Sequence, residues 1–278
     1  RATPEASSEK PKLTVGTFTN PANLVSTEAE KYMVAAANPL AAAAGLTILR
    51  AGGSAVDAAI ATQLALNVVE PQSSGIGGGA FLMHYQASSR AIEAYDGREK
   101  APAAATGDMF LKPDGSRPNF YDVVPGGLSV GVPGVLRMME LAHKNHGKLA
   151  WAKLFEPAIK LADEGFKVSR RLYTLVKNDS LLKKFKASTD FFYDNAGFSK
   201  PVGTLLINRP LAETFRKIAK GGADAFYKGA LAAEIVRTVR GASLNPGRMT
   251  TSDMATYEAK KRNPVCSFYR KWLVCGMP

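Results

Sequence analysis

The chain has 278 residues, of which 46% are hydrophobic and 22% are charged, a composition typical of one large globular domain or two modest ones. No apolar run approaches the roughly 20 residues that a membrane-spanning helix needs, so no membrane span is predicted. The net charge is +12, but the basic residues form only short clusters, such as 183–186 and 260–262, and no single long basic stripe with interleaved aromatic residues appears. We therefore predict solvated surface rather than nucleic-acid binding.

The first residues, RATPEASSEKPK, are polar and show no hydrophobic period. Such a stretch is typical of a loose terminus, and we interpret it as the new end that removal of a signal peptide would leave. The expected organisation is a flexible segment over residues 1–30, followed by folded chain over residues 31–278.

Two helices are predicted next. Asn38 is a favourable N-cap, Pro39 suits the first helical position and Gly52 suits the C-terminal stop of the helix in NPLAAAAGLTILRAGG. In SAVDAAIATQLALNVVEP, Ser54 and Asp57 have the spacing of a capping box, and apolar residues then continue almost to the next proline. Because a helix that is apolar on nearly all faces is buried, we expect the second helix in the core.

A glycine-rich stretch, EPQSSGIGGGAFLMHYQ, follows over residues 70–86. A dinucleotide-binding loop needs a strand before the glycines and a helix after them, and here that order is reversed. The glycines are therefore expected to allow close backbone approach or a positive φ, not to bind phosphate. The β-prone runs AFLMHYQ and RAIEAYD, joined by ASSR, predict a hairpin whose second strand ends near Asp96.

Helical patterns dominate the middle of the chain, in PGVLRMMELAHKNHG, AWAKLFEPAIKLADEGF, PLAETFRKIAKGG and LAAEIVRTVRG. NPVCSFYRKWLVCGMP returns to strand character, and a hairpin turning at Arg270 and Lys271 would place Cys266 opposite Cys275. Cross-strand Cβ atoms lie about 4.5–5.5 Å apart, more than a relaxed disulfide prefers, so a disulfide and two buried free thiols both remain open. Helices between two hairpins predict a layered α+β or α/β fold.

Two patterns imitate catalytic or metal sites. GLSVG places Ser129 in a G-x-S-x-G motif, but Val-Pro-Gly precedes the next helix and no histidine follows at the expected distance, so Ser129 is not expected to be a nucleophile. Glu140, His143 and His146 have helical spacing that could suit a metal, yet no further ligands cluster with them. We predict that these three side chains are solvated near the end of a helix.

Arg98, in DGREKAP, stands just past the second predicted strand, where binding groups often gather. An arginine can hold a carboxylate through two parallel hydrogen bonds that lysine cannot reproduce. Arg98 is therefore a candidate anion-binding residue. The alternative, which these residues by themselves favour, is a surface arginine paired with Glu99 or Asp96.

Long stretches of the chain resemble one family. AAANPLAAAAGLTILRAGGSAVDAAIATQLALNVVEPQSSGIGGGAFLMHY, DGREKAPAAAT, GVPGVLRMMELAHKNHGKLAW and EPAIKLADEGFKVS are similar to the large subunit of γ-glutamyltransferases, also called γ-glutamyltranspeptidases or glutathione hydrolases. The similarity begins near Asn38 and includes MTTSDMATYEAKKRNPV and YRKWLVCGMP. It implies the α+β fold of an N-terminal nucleophile hydrolase, an αββα sandwich, with residues 31–278 as the large-subunit portion of one domain shared with a small chain.

The resemblance also implies a chemistry. In that family a precursor cuts itself into a large and a small chain, and the N-terminal Thr of the small chain takes the γ-glutamyl group from glutathione or a related donor. Water, an acceptor amino acid or a peptide then resolves the acyl-enzyme. The matching arginine of the large chain, Arg98 here, would clamp the donor's α-carboxylate. No cofactor and no metal ion are implied.

The sequence departs from the whole enzyme in one respect. No Thr-Thr-His stretch marks an autocleavage site, and the family continues after VCGMP through a Pro-Ser-Gly-Gly segment. The resemblance therefore implies no catalytic residue in this chain, a nucleophilic Thr on a partner chain, and no activity for this chain alone. A non-catalytic binding protein and a related cephalosporin or glutaryl acylase remain alternatives. Because the family is exported, a periplasmic or secreted location is expected.

Overall fold

The computed structural model describes residues 13–15 and 25–278. The chain divides into two units, residues 1–35 and residues 36–278, which are described separately. In the first unit, strands β1 (Leu13–Val15) and β2 (Val25–Thr27) pair antiparallel. Most of the segment predicted to be flexible, residues 1–30, lies outside the described residues.

The second unit contains both helices and short strands. Its helices are α1 (Pro39–Arg50), α2 (Ala55–Val69), α3 (Phe120–Val123), α4 (Val135–His146), α5 (Glu156–Glu164), α6 (Arg170–Asn178), α7 (Lys186–Phe192), α8 (Arg209–Gly221), α9 (Asp224–Tyr227), α10 (Gly229–Arg240) and α11 (Thr251–Ala255). Its strands are β3 (Ala80–Gln86), β4 (Ala91–Gly97), β5 (Phe166–Lys167), β6 (Leu205–Leu206), β7 (Lys260–Arg262), β8 (Val265–Tyr269) and β9 (Trp272–Gly276). Two short 3₁₀ helices cover Trp151–Phe155 and Leu182–Lys184.

The first two helices begin where their capping residues predict. The Asn38 side chain accepts a hydrogen bond from the backbone N–H of Leu40, and Gly52 lies past the end of α1 with a φ of +88°. Ser54 and Asp57 form the predicted capping box of α2. Most residues of α2 are buried, so the prediction of a core helix is confirmed.

Asp57 does more than cap its own helix. Its carboxylate is fully buried, and Oδ2 accepts hydrogen bonds from the backbone N–H groups of Ser54 at 2.9 Å, Lys148 at 2.9 Å and Leu149 at 3.1 Å. A buried carboxylate needs such donors, because an unpaired charge in the interior is costly. One side chain thus joins the start of α2 to the segment that follows α4.

The predicted hairpin forms the centre of a three-stranded antiparallel sheet with the order β3-β4-β7. Strand β4 ends at Gly97, one residue beyond the predicted Asp96. The third strand, β7, was interpreted from sequence only as solvated basic surface; its side chains are exposed, but it pairs with β4. Two ion pairs tie it there, Lys261 to Glu93 and Arg262 to Asp96.

The two faces of this sheet differ in what covers them. Helix α4 packs on β3 and β4, and Tyr95 of β4 is completely buried. On the opposite face of β3, the alternating side chains of Phe81, Met83 and Tyr85 are 47%, 38% and 58% exposed. A strand alternates its side chains between faces, so one face belongs to the core and the other presents apolar groups to solvent.

The last hairpin, β8–β9, turns at Arg270 and Lys271 as predicted, and Cys266 lies directly opposite Cys275. The structure joins the two cysteines in a disulfide, which decides between the two alternatives that the sequence left open. Every side chain of β8 is exposed.

The mixture of helical layers and antiparallel strands confirms the predicted α+β class. Helices α6 and α7 and the short helices α3, α9 and α11 were not predicted. For α6 the signals were present, because Ser169 caps it and Leu172 and Val176 lie one turn apart on its buried side. Among the described residues, no helix is both long enough and apolar enough to cross a membrane.

Candidate functional site

Arg98 is the first residue after β4, and its backbone is held on both sides. Its N–H donates to Oδ1 of Asp96 at 2.9 Å, and its carbonyl accepts a hydrogen bond from the hydroxyl of Tyr257 at 2.6 Å. Burial, followed by the charges of Asp96 and Glu99, raises the pKa of Tyr257 to about 12, so this hydroxyl remains a donor at neutral pH. The strand end thus presents residue 98 from a fixed position.

The Arg98 side chain itself is 71% exposed, and its Nε lies 3.5 Å from Oε2 of Glu99. The sequence also allowed a pair with Asp96, but that carboxylate receives Nε of Arg262 at 2.7 Å. Although burial opposes it, hydrogen bonds from Arg98 N–H and from Arg262 lower the pKa of Asp96. Among the described residues, Arg98 forms no other ion pair, so its guanidinium is free to donate hydrogen bonds to the carboxylate of a bound ligand.

A cavity of about 440 Å³ opens beside this guanidinium. Its charged lining consists of Arg98, Lys100 and Glu99, and the remaining lining residues are small or apolar except for Ser129: Gly77, Ala101, Val130 and Gly131. Two cationic groups and one carboxylate give the cavity a net positive lining. It therefore suits a small molecule that carries a carboxylate.

The glycine-rich loop contributes Gly77 to the lining of this cavity and packs closely against the residues around Arg98. An added Cβ at Gly79 would lie 2.5 Å from Oε2 of Glu99 and 2.7 Å from the carbonyl oxygen of Gly97, the residues on either side of Arg98. None of the loop glycines has a positive φ, so close backbone approach is what requires glycine at position 79. The loop carbonyl of Gly78 also accepts the N–H groups of Gly134 and Val135 at the start of α4, which need such partners.

Helix α4 begins against the same strand end. A Cβ at Gly134 would lie 2.2 Å from both the carbonyl oxygen of Gly97 and the hydroxyl of Tyr257. A Cβ at Gly97 would lie 2.5 Å from Cβ of Met138. Three segments distant in sequence therefore meet at the backbone that carries Arg98.

A second cavity, of about 450 Å³, lies along another side of the glycine loop and shares Glu99 with the first. Its other charged residues, Glu70 and Arg171, pair at 3.1 Å. Glu70 is 2% exposed and also accepts a hydrogen bond from the Asn38 amide at 2.9 Å. Because Arg171 is already paired with Glu70, this cavity is a weaker candidate for an anion-binding site.

The motif around Ser129 does not assemble a catalytic group. Its hydroxyl donates to the carbonyl oxygen of Val124 at 2.5 Å, and no hydrogen bond to a histidine or carboxylate is found for it within residues 28–278. A nucleophilic serine needs a base within hydrogen-bond distance. The Ser129 hydroxyl is therefore held by a backbone carbonyl, and among the described residues no base accepts its proton.

The prediction that Glu140, His143 and His146 are solvated is wrong. All three are half-buried and point to different partners: Glu140 accepts the N–H of Ala223 at 3.0 Å, and Nε2 of His143 lies 2.9 Å from the carbonyl oxygen of Leu149. His146 instead contacts the β3–β4 hairpin. The three residues lie on one helix, as their spacing predicts, but each side chain contacts a different neighbouring segment, so they do not form one site.

Comparisons with known proteins identify the family of the chain. Residues 41–278 match the family model described as Gamma-glutamyltranspeptidase. Over 246 residues the chain is 39% identical to the glutathione hydrolase proenzyme of Bacillus subtilis (strain 168), covering 88% of this chain and 41% of that protein. The chain therefore spans about two fifths of the length of this curated relative.

Solved structures give the same assignment. The crystal structure of Helicobacter pylori gamma-glutamyltranspeptidase has a TM-score of 0.85 at 34% identity, covering 91% of this chain and 71% of that one. A cephalosporin acylase from Bacillus halodurans is less similar, with a TM-score of 0.72 at 32% identity over 86% of this chain and 44% of that one. The backbone agreement confirms the predicted N-terminal nucleophile hydrolase fold.

Proposed function

Because the chain belongs to the γ-glutamyltranspeptidase family, we propose that residues 31–278 form the large-subunit portion of an enzyme that transfers or hydrolyses γ-glutamyl groups. The donors would be glutathione and related γ-glutamyl compounds. The observation that supports this most directly is the family match over residues 41–278, together with a guanidinium open to a positively lined cavity.

In this proposal the catalytic nucleophile is the N-terminal threonine of a partner polypeptide cut from the same precursor. Two exposed apolar surfaces support a missing partner: the outer face of β3, with Phe81 and Tyr85, and the β8–β9 hairpin, with Phe268 and Trp272. Monomeric proteins rarely expose contiguous apolar patches of this kind. The outer face of β3 would receive the second sheet of the sandwich.

Arg98 would act by orientation. Two parallel hydrogen bonds from its guanidinium to the donor's α-carboxylate would fix the γ-carbonyl carbon near the threonine hydroxyl. The hydroxyl oxygen would then bond to that carbon, the γ-amide C–N bond would break, and the leaving amine would take a proton. Water or an acceptor amine would release the γ-glutamyl group from the ester in the second step.

The proposed role is tested with Arg98→Lys in the assembled enzyme, using a γ-glutamyl anilide as donor. A charge-assisted pair contributes about 1.5–3 kcal/mol, so kcat/KM should fall by roughly 10- to 100-fold. Arg50→Lys, an exposed substitution at the end of α1, is the matched control and should leave the kinetics unchanged. Equal kinetics for both variants would remove Arg98 from the site.

Two alternative activities are separated by simple measurements. A denaturing gel and an intact mass should reveal a smaller chain that begins with threonine; a homogeneous preparation of this chain alone favours a non-catalytic binding protein. The similarity to a cephalosporin acylase makes glutaryl-cephalosporin hydrolysis the second assay. Faster turnover of the cephalosporin than of the γ-glutamyl donor would favour an acylase.

A periplasmic or secreted location is part of the proposal. The disulfide between Cys266 and Cys275 supports it, because disulfides persist in oxidising compartments and are rare in the cytosol. Thiol alkylation of the protein in intact cells, with and without prior reduction, tests this: labelling only after reduction is expected, and full labelling without it would contradict the location.

A further inference from the structure

A second cluster of chemically active side chains lies at the other end of the β3–β4 hairpin from Arg98. His84 and Glu93 are cross-strand partners, and His146 is the last residue of α4. One nitrogen or carboxylate oxygen from each residue lies within 4.8 Å of the corresponding atoms of the other two. All three side chains are half-buried, so three separate elements direct their donor atoms to one small volume.

The contacts inside this cluster are close and incompletely satisfied. Nε2 of His146 lies 2.6 Å from Oε2 of Glu93 and 2.8 Å from the hydroxyl of Tyr95. The rings of His84 and His146 stack with centroids 3.9 Å apart. Nδ1 of His84 is buried and has no hydrogen-bond partner among the described residues. A buried polar atom without a partner is unfavourable unless a ligand satisfies it.

Two imidazoles and one carboxylate are the donors that zinc and its first-row neighbours prefer. In a tetrahedral site with bonds of about 2.0–2.1 Å, donor atoms lie roughly 3.3 Å apart. Donors within 4.8 Å can reach that spacing by small side-chain rotations. We propose that His84, Glu93 and His146 form a binding site for one divalent transition-metal ion, with Zn²⁺ the best match to this donor set.

Two neighbours of the cluster have opposite effects on metal binding: Tyr95 favours it and Lys261 disfavours it. The Tyr95 hydroxyl accepts from Nδ2 of Asn145 and donates to Oε2 of Glu93, which is the kind of outer hydrogen bond that orients a ligating carboxylate. Lys261, by contrast, places its ammonium on Oε1 of Glu93 and repels a second cation. Its side chain is 49% exposed, so it can turn into solvent when the ion binds.

The inferred ion would fasten the end of α4 to the hairpin that carries Arg98. It would stabilise the folded state by mass action, since the unfolded chain does not hold these three groups together. The site is separate from the cavity beside Arg98 and takes no part in the proposed acyl transfer.

The test uses the protein expressed from its complete reading frame, without a histidine tag and stripped of metal. Zn²⁺ titration by calorimetry and Co²⁺ titration by visible absorption should each show one site that His84→Ala and His146→Ala lose. Loss of a ligand should weaken affinity by at least the roughly 10- to 100-fold that loss of an outer partner costs. His143→Gln changes the one histidine outside the proposed site, which lies one turn before His146 on α4; this variant is the matched control and should bind like the wild type.

A gain of binding guards against variants that fail to fold. Lys261→Met removes the opposing charge but no proposed ligand, so it should tighten Zn²⁺ binding and increase the rise in Tm that Zn²⁺ produces. Equal affinity in the wild type and His146→Ala overturns the proposal. No gain in affinity for Lys261→Met overturns it as well.

Discussion

Replacing Gly79 by alanine tests whether the tight packing of the glycine loop holds Arg98 in position. The added Cβ would meet Oε2 of Glu99 at 2.5 Å and the carbonyl oxygen of Gly97 at 2.7 Å. An ordinary contact needs about 3.5 Å, so these atoms must move apart by roughly 0.8–1.0 Å. The Glu99 side chain can rotate away, but the Gly97 carbonyl can move only with the strand that precedes Arg98.

The expected cost follows from this displacement. Inserting one methyl group into a closely packed site destabilises a protein by about 1–3 kcal/mol. For a unit of this size, each kcal/mol lowers Tm by about 2–4 °C. A misplacement near 1 Å can reduce catalysis by roughly 100-fold, so kcat/KM for a γ-glutamyl anilide should fall by about 10- to 100-fold in the assembled enzyme.

Two glycines without neighbours supply the controls. Neither Gly77, in the same loop, nor Gly107 has any atom within 4 Å of an added Cβ, and neither has a positive φ. Gly77→Ala should leave Tm unchanged or slightly raised, and Gly107→Ala should leave both Tm and kinetics unchanged. If Gly79→Ala unfolds at the same temperature as Gly77→Ala and retains wild-type kinetics, the close approach does not position Arg98.

Two further substitutions test contacts behind the site. Tyr257→Phe removes the hydrogen bond to the Arg98 carbonyl and should cost about 1 kcal/mol at neutral pH. The pKa of Tyr257 is raised in the folded state to about 12, against about 10 when unfolded. The stabilisation by Tyr257 is therefore complete below pH ~10 and is lost as the pH rises towards ~12. In urea unfolding, the free energy of unfolding should fall less between these pH values in the variant than in the wild type. An identical fall in both proteins would contradict this. Asp57→Ala leaves three part-buried backbone N–H groups without their acceptor and should cost about 1–3 kcal/mol. Asp57→Asn, which keeps one acceptor oxygen, should cost less, and equal urea midpoints for the two variants would refute that account.

The helix boundaries and hairpins of this protein were predictable because their signals are local. Capping by Asn38 and Ser54 acts over two or three residues. The β-prone character of the two strands of the β3–β4 hairpin is visible within seven residues each. The position of Arg98 at a strand end follows from the same local pattern. The proposed role of Arg98 came instead from resemblance, because no local pattern distinguishes a substrate-binding arginine from one on the surface.

Only the tertiary structure decided where distant segments meet. Strand β7 carries three charged residues with no alternation, and it becomes a strand because β4 supplies hydrogen-bond partners and carboxylates more than 160 residues earlier. His146 likewise contacts His84 and Glu93 of the β3–β4 hairpin, because α4 packs on that hairpin. Contacts between residues a few positions apart can be predicted from the sequence, whereas contacts between helices and strands depend on how the faces of these elements pack together. The requirement for glycine at position 79, and the cluster proposed to bind metal, could therefore be read only from the fold.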